Sequence, residues 1–180
     1  DIGPGNCLID EWIRKNSKNN YDNKGSIARS GKVDKLILNQ ALENFNHHSR
    51  YEKSLDVNDF DIFFAKGLTL ENGAATITDF TAKIISDGMN FIHGKNQLWN
   101  DKWLVCGGGR KNKYLLECIK NNFDKINIDP IDKYEINGDY IESQAFAFLA
   151  IRSKEGLPIT FPTTTRCAEP LTGGISIENY

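Results

Sequence analysis

The sequence predicts an α/β fold with a parallel strand pairing. The apolar run Trp103-Leu104-Val105-Cys106 has strand length and breaks at Gly107-Gly108-Gly109. A helical pattern resumes from Asn112, with Leu115, Leu116 and Ile119 on one side. Ile126 and Ile128 then alternate as in a second strand. Strands over 103–106 and 125–128, joined by that helix, are spaced for a right-handed parallel crossover.

The earlier elements follow from periodicity. Leu8/Trp12 and Ile9/Ile13 pair at i, i+4, so a helix is expected over 6–16, with Asn6 as N-cap and Asp10 and Glu11 near its start. The Asn-rich stretch 16–24 reads as a surface loop. Val33, Leu36, Ile37, Gln40, Ala41 and Phe45 give a second amphipathic helix. A polar segment with His47, His48 and Lys53-Ser54-Leu55-Asp56 has no clear period. The longest helix is expected over 70–92, capped by Thr69, with Ala74, Ile77, Thr78, Thr81, Ile84, Ile85, Gly88, Met89 and Ile92 on one face.

A last helix over 140–153 turns Ile141, Ala145, Phe146, Phe148 and Leu149 to an apolar side, and 156–180 reads as a Pro/Thr/Gly-rich extended tail. Two strands are few for an α/β sheet. With a first residue that is not Met, the expectation is an incomplete domain.

Composition narrows the function classes. Hydrophobic residues at 39% and charged residues at 26% are ordinary for a soluble globular chain. Lys+Arg 22 against Asp+Glu 24 argues against a nucleic-acid binder, which needs a basic face. No apolar stretch approaches the ~20 residues that span a bilayer, and no leader pattern is visible. Cys7, Cys106, Cys118 and Cys167 form no Cys-x-x-Cys pair. Cys106 and Cys118 read as buried small hydrophobes in a reduced, cytoplasmic protein.

Three segments could carry chemistry. Asp1-Ile2-Gly3-Pro4-Gly5-Asn6 sets a carboxylate beside a glycine turn that enters a helix, where free N–H groups receive anions. Equally, it is a plain turn capping that helix. Gly107-Gly108-Gly109 lets a backbone lie against a nucleotide ahead of a helix N-terminus, or simply makes a tight crossover. It has neither the Rossmann spacing nor the Gly-Lys-Ser/Thr of a P-loop. Glu142 sits among positions that read as buried, so it either reaches a cleft or serves the helix dipole. His47, His48 and His93 lack metal-ligand spacing. No nucleophile elbow is present.

In order, Asp1 to Asp10, Lys53-Ser54, Ala74-Ala75-Thr76-Ile77-Thr78, Val105-Cys106-Gly107-Gly108-Gly109-Arg110-Lys111-Asn112 and Glu142 to Ala150 resemble the C-terminal half of the anhydro-N-acetylmuramic acid kinase family. The resemblance covers essentially the whole chain. It implies the second lobe of an actin-like ATPase (ribonuclease H-like) fold, incomplete at its N-terminus. Residues 1–155 would form the body of that lobe. Residues 156–180 would form a tail returning to a first lobe that is missing here. Arg166 and Cys167 depart from the Gly-Ala that usually follows Thr165 in the family, and Val57 replaces a frequent arginine.

By the same resemblance, Asp1 matches the catalytic base and Glu142 an acidic residue near the sugar. Gly3, Gly5 and Asn6 match the turn beside the phosphates, and Gly107, Gly108 and Gly109 the run against the nucleotide. The implied cofactors are ATP and Mg2+, with no protein metal site. The implied reaction hydrolyses the 1,6-anhydro ring and phosphorylates O6, giving N-acetylmuramic acid 6-phosphate in cell-wall recycling. An inactive remnant, another actin-like sugar kinase and an unrelated nucleotide-binding module are the competing readings. An open strand edge would make this chain marginally stable and leave a homodimer as one way to cover it.

Overall fold

The structure, a computed structural model, describes residues 2–45, 55–95, 102–122 and 127–177. Asp1, His47, His48, Lys53, Ser54, Lys125 and Ile126 lie outside the described residues, as does the side chain of His93.

Helix α1 (Cys7–Asn16) starts one residue later than the periodicity suggests and buries Leu8, Ile9, Trp12 and Ile13. Its last turn carries Arg14 and Lys15, which suit the negative end of the helix dipole. A short helix, α2 (Ser26–Ser30), has no apolar period to announce it. It forms because the buried Asp22 carboxylate accepts from the Ile27 and Ala28 amides at 2.8 and 2.9 Å, satisfying N–H groups that a first turn leaves open. Helix α3 (Lys35–Asn44) is capped by Asp34, whose side chain accepts from the Leu36 and Ile37 amides. Leu36, expected inward, is 79% exposed; Leu38 and Ala41 hold the buried face instead.

Helix α4 (Leu70–Lys95) organises the rest, packing against α1, α2, α3 and helix α5 (Lys113–Asn121). Thr69 caps it as expected, its Oγ1 accepting from the Asn72 amide at 3.3 Å. Residues 73–78 are all buried, so this stretch is enclosed all round rather than along one stripe. Small side chains make that possible. A Cβ on Gly73 would stand 2.1 Å from the Trp12 ring, and one on Gly31 would stand 2.0 Å from the Glu71 carbonyl oxygen. Trp12 Nε1 donates to the Leu70 carbonyl at 2.9 Å. Each fully buried Leu or Ile here contributes about 1.5–3 kcal/mol.

The parallel pairing is as expected. Strand β1 (Lys102–Val105) pairs with β2 (Asn127–Pro130) with Trp103 opposite Ile128. β1 is not a buried strand. Trp103 and Val105 lean on the core, whereas Leu104 is 47% exposed and Cys106 is exposed. Only one face of this two-stranded sheet meets the helical layer, which is the physical reason both expectations of burial fail. Cys118 is buried, as read from sequence.

Helix α6 (Ile141–Lys154) gives the larger correction. It has no buried residue, and Phe146, Phe148 and Ile151 are all well exposed. Glu142 is therefore exposed, not set among buried positions. The tail is not simply extended either. Thr160 and Leu171 form an antiparallel bridge around a short helix, α7 (Pro162–Thr165). Arg152 Nε donates to the Pro158 carbonyl at 2.7 Å and Ser153 Oγ to the Gly173 carbonyl, so the tail folds back on the end of α6. No helix among the described residues is long and apolar enough to cross a membrane.

Candidate functional site

Two glycine turns precede two helix N-termini. In the first, the Cys7 amide donates to the Pro4 carbonyl at 3.3 Å and α1 begins. Gly3 packs tightly, since a Cβ there would lie 2.7 Å from Ile85 Cγ1. Gly5 differs: its φ is +59°, a left-handed value that favours glycine, and nothing crowds it. Asn6 does not cap α1 with its side chain. Its Oδ1 instead accepts from Asn112 Nδ2 at 3.1 Å. Asn112 Oδ1 in turn accepts from the Leu115 amide at 3.0 Å, capping α5. One amide thus ties the first turn to the second.

The second turn follows β1. Gly107 has φ +69°, and residues Gly108–Lys111 form a single 3-10 turn before Asn112. Among the described residues, a Cβ built on Gly107, Gly108 or Gly109 meets no atom within 4 Å. At Gly108 and Gly109, then, neither packing against the described residues nor a positive φ calls for glycine.

Arg110 fastens this turn from behind. Its side chain is 5% exposed. Nε and Nη2 donate to the two Asp132 carboxylate oxygens at 2.6 and 3.1 Å. Nη1 donates to the Gly107 carbonyl and to Asp139 Oδ1, each at 2.8 Å. Lys111 Nζ reaches both Asp139 oxygens at 2.8 Å. Hydrogen bonds from Arg110 and then Lys111 hold the Asp139 carboxyl far below the usual carboxylate range, and Arg110 lowers Asp132. The guanidinium is pushed upward by the same contacts, Asp139 first. The Gly107 amide also donates to the Gly138 carbonyl at 2.9 Å.

Glu142 lies in the first turn of α6, three residues beyond Asp139. Asp1, the expected base, lies outside the described residues, so its position relative to these turns is not described. Among the described residues no group of three or more His, Cys, Asp or Glu could hold a metal ion. Burial, then Asp79, pushes the Cys118 thiol up to about 11, which leaves it protonated and inert. Arg110, Asn112, Asp132 and Asp139 were missed as site residues by the reading of the sequence. Arg110 and Asn112 were within the quoted Gly107–Asn112 segment, but their partners are 22 to 106 residues away in sequence.

These features define a mixed α/β protein with a parallel strand pair and two linked glycine turns, one of them uncrowded among the described residues. The comparisons are specific. The family model for anhydro-N-acetylmuramic acid kinase matches residues 1–178. The chain is 48% identical to the anhydro-N-acetylmuramic acid kinase of Pelagibacter ubique over 184 residues, covering all of this chain and 48% of that protein. It is 40% identical to the one of Rhodospirillum rubrum over 174 residues, 97% of this chain and 45% of the relative. The one of Rhizorhabdus wittichii is also 40% identical, over 176 residues. The chain belongs to the anhydro-N-acetylmuramic acid kinase family. It spans about half the length of the curated relatives it matches and corresponds to their C-terminal part.

Proposed function

We propose that this chain is the nucleotide- and sugar-facing second lobe of an actin-like kinase that opens the 1,6-anhydro ring of anhydro-N-acetylmuramic acid and phosphorylates O6. The product is N-acetylmuramic acid 6-phosphate, in cytoplasmic cell-wall recycling. Residues 1–155 form the body of the lobe and 156–180 a tail toward the first lobe. The open backbone at Gly108 and Gly109 carries the reading, because nothing among the described residues crowds either position. The residues fit ATP: the open glycines admit a flat nucleotide face, and the Gly3–Asn6 turn at the start of α1 offers backbone N–H groups to phosphate.

ATP, when bound, supplies the phosphoryl group that ends on O6. Asp1 takes a proton from the water whose oxygen attacks the anomeric carbon as the C1–O6 bond breaks, a step with oxocarbenium character. Glu142 orients the sugar from the first turn of α6. Mg2+ would accompany ATP; among the described residues no group of three or more His, Cys, Asp or Glu could hold a metal ion.

The test is made with the complete polypeptide, this chain joined to the upstream half that its relatives carry. ATP-dependent conversion of the anhydro sugar to the 6-phosphate is expected, with no turnover by residues 1–180 alone. Asp1→Asn keeps the shape but cannot accept the proton. It should lower kcat by about 10²–10⁴ with little change in ATP affinity. Near-normal kcat in that variant would remove Asp1 from the role, and absence of any conversion by the parent would remove the function.

A further inference from the structure

The Arg110 clasp joins three segments that sequence keeps apart: the open glycine turn, the turn after β2 through Asp132, and the entry to α6 through Asp139. The entry is built around it. A Cβ on Gly138 would stand 2.5 to 2.9 Å from guanidinium atoms, so only glycine lets the chain pass. Ion pairs of a buried guanidinium with half-exposed carboxylates such as Asp132 and Asp139 add little net stability. What a forked guanidinium adds is fixed geometry, because four of its hydrogen bonds must be satisfied at once.

The direction of the links matters. Arg110 grips the Gly107 carbonyl on one side and Asp139 on the other, and Asp139 stands three residues before Glu142. Only Tyr140 and Ile141 stand between them, the second already in the helix, so the connection is short. A ligand seated on Gly107–Gly109 therefore bears, through Arg110, on a carboxylate that stands two residues ahead of α6. We propose that Arg110 is a positioning residue that couples nucleotide seating on the glycine turn to the placement of Glu142 against the sugar. The inference rests on the nucleotide reading of that turn. Asp132 fixes the guanidinium, and Asp139 is the arm that passes the displacement to α6. Lys111, on the rim, reinforces Asp139.

Hydrogen exchange in the complete polypeptide, with and without a non-hydrolysable ATP analogue and Mg2+, tests the coupling. In the parent, the analogue should slow exchange over 107–112 and 139–146 together, by about fivefold or more, the lower end of typical couplings. Asp139→Ala leaves the turn fastened by Asp132. It should keep the protection at 107–112 and lose it at 139–146, with the KM for sugar raised about tenfold and that for ATP unchanged. Arg110→Lys keeps the charge without the fork and should lose the response at 139–146. Unchanged protection in α4 shows that each variant is folded, and Asp139→Ala decides the outcome should Arg110→Lys fail to fold. Protection of 107–112 alone in the parent, or of both segments in Asp139→Ala, overturns the coupling while leaving the nucleotide reading intact. Protection of neither segment in the parent overturns the nucleotide reading, and the coupling with it.

Discussion

Around α4, glycines are filled in by neighbours: Gly31 abuts the Glu71 carbonyl and Gly73 the Trp12 ring. At Gly107–Gly109 the space is empty. The same contrast holds for apolar side chains. Leu8, Ile13, Ile77 and Ile84 have no exposed surface, whereas Phe146, Phe148 and Ile151 on α6 are more than half exposed. One region answers its own sequence, residue for residue. In the other, glycines and aromatics are set out for contacts that the described residues do not supply. The glycines at 107–109 and the aromatics of α6 are thus where contacts from beyond the described residues would be made.

The largest effect should separate the two regions by stability. Leu8→Ala should cost about 2–5 kcal/mol, read as a fall in the urea midpoint of this chain. Phe146→Ala should change it by no more than about 0.5 kcal/mol. Equal losses at both positions would mean that α6 is packed in solution.

Glycine substitutions sharpen the contrast next. Gly31→Ala pushes a methyl into backbone and should destabilise by about 1–3 kcal/mol. Gly108→Ala should leave stability within about 0.5 kcal/mol yet weaken nucleotide binding by the complete polypeptide about tenfold, or ~1.4 kcal/mol. An unaltered nucleotide Kd would end the case for backbone contact.

Acidity probes the boundary between the regions. Arg110 depresses both Asp139 and Asp132, so the stability they contribute is present above the ordinary carboxylate pKa of about 3.9 and is lost as pH falls through their lowered folded values. Protection of the 107–112 amides, corrected for intrinsic rates, should hold between about pH 8 and 5 and fail only in stronger acid. An opening of the turn between about pH 7 and 5 would assign its control to a different group.

The smallest effect concerns the tail. Arg166 ends α7 at φ +58°, at the position where the resemblance places glycine. Arg166→Gly relieves left-handed strain of about 1–2 kcal/mol, offset by glycine's greater freedom when unfolded and by loss of the arginine's own interaction. Amide exchange at the Thr160 and Leu171 bridge should therefore change by less than about 0.5 kcal/mol, and a larger loss would show that the side chain outweighs the backbone strain.

Much of the fold was legible because periodic apolar spacing reports burial directly. It located α1, α3, α4 and α5, and the strand–helix–strand spacing gave the parallel pair. It failed for α2, whose five residues are held by one carboxylate outside the helix. It located α6 as well but failed for that helix's burial, because an apolar run states a need for cover, not that the cover is present. The glycine triplet was legible as a backbone approach. Its fastening was not, since no local rule pairs Arg110 with carboxylates 22 and 29 residues ahead. Asn6 shows the same limit: it reads as a cap, but Asn112 claims its side chain.

The Asn6–Asn112 contact has a consequence for how this protein can evolve. Asn112 uses its oxygen to cap α5 and its nitrogen to hold Asn6. Aspartate at 112 would cap as well but has no N–H to give, and would face the Asn6 oxygen with a second acceptor. The conflict vanishes if Asn6 rotates its own N–H toward the new carboxylate, or if position 6 becomes a donor such as serine. Change at 112 is therefore tolerated wherever position 6 can present a donor, asparagine by turning its amide or serine by its hydroxyl, and is excluded where position 6 carries a second carboxylate.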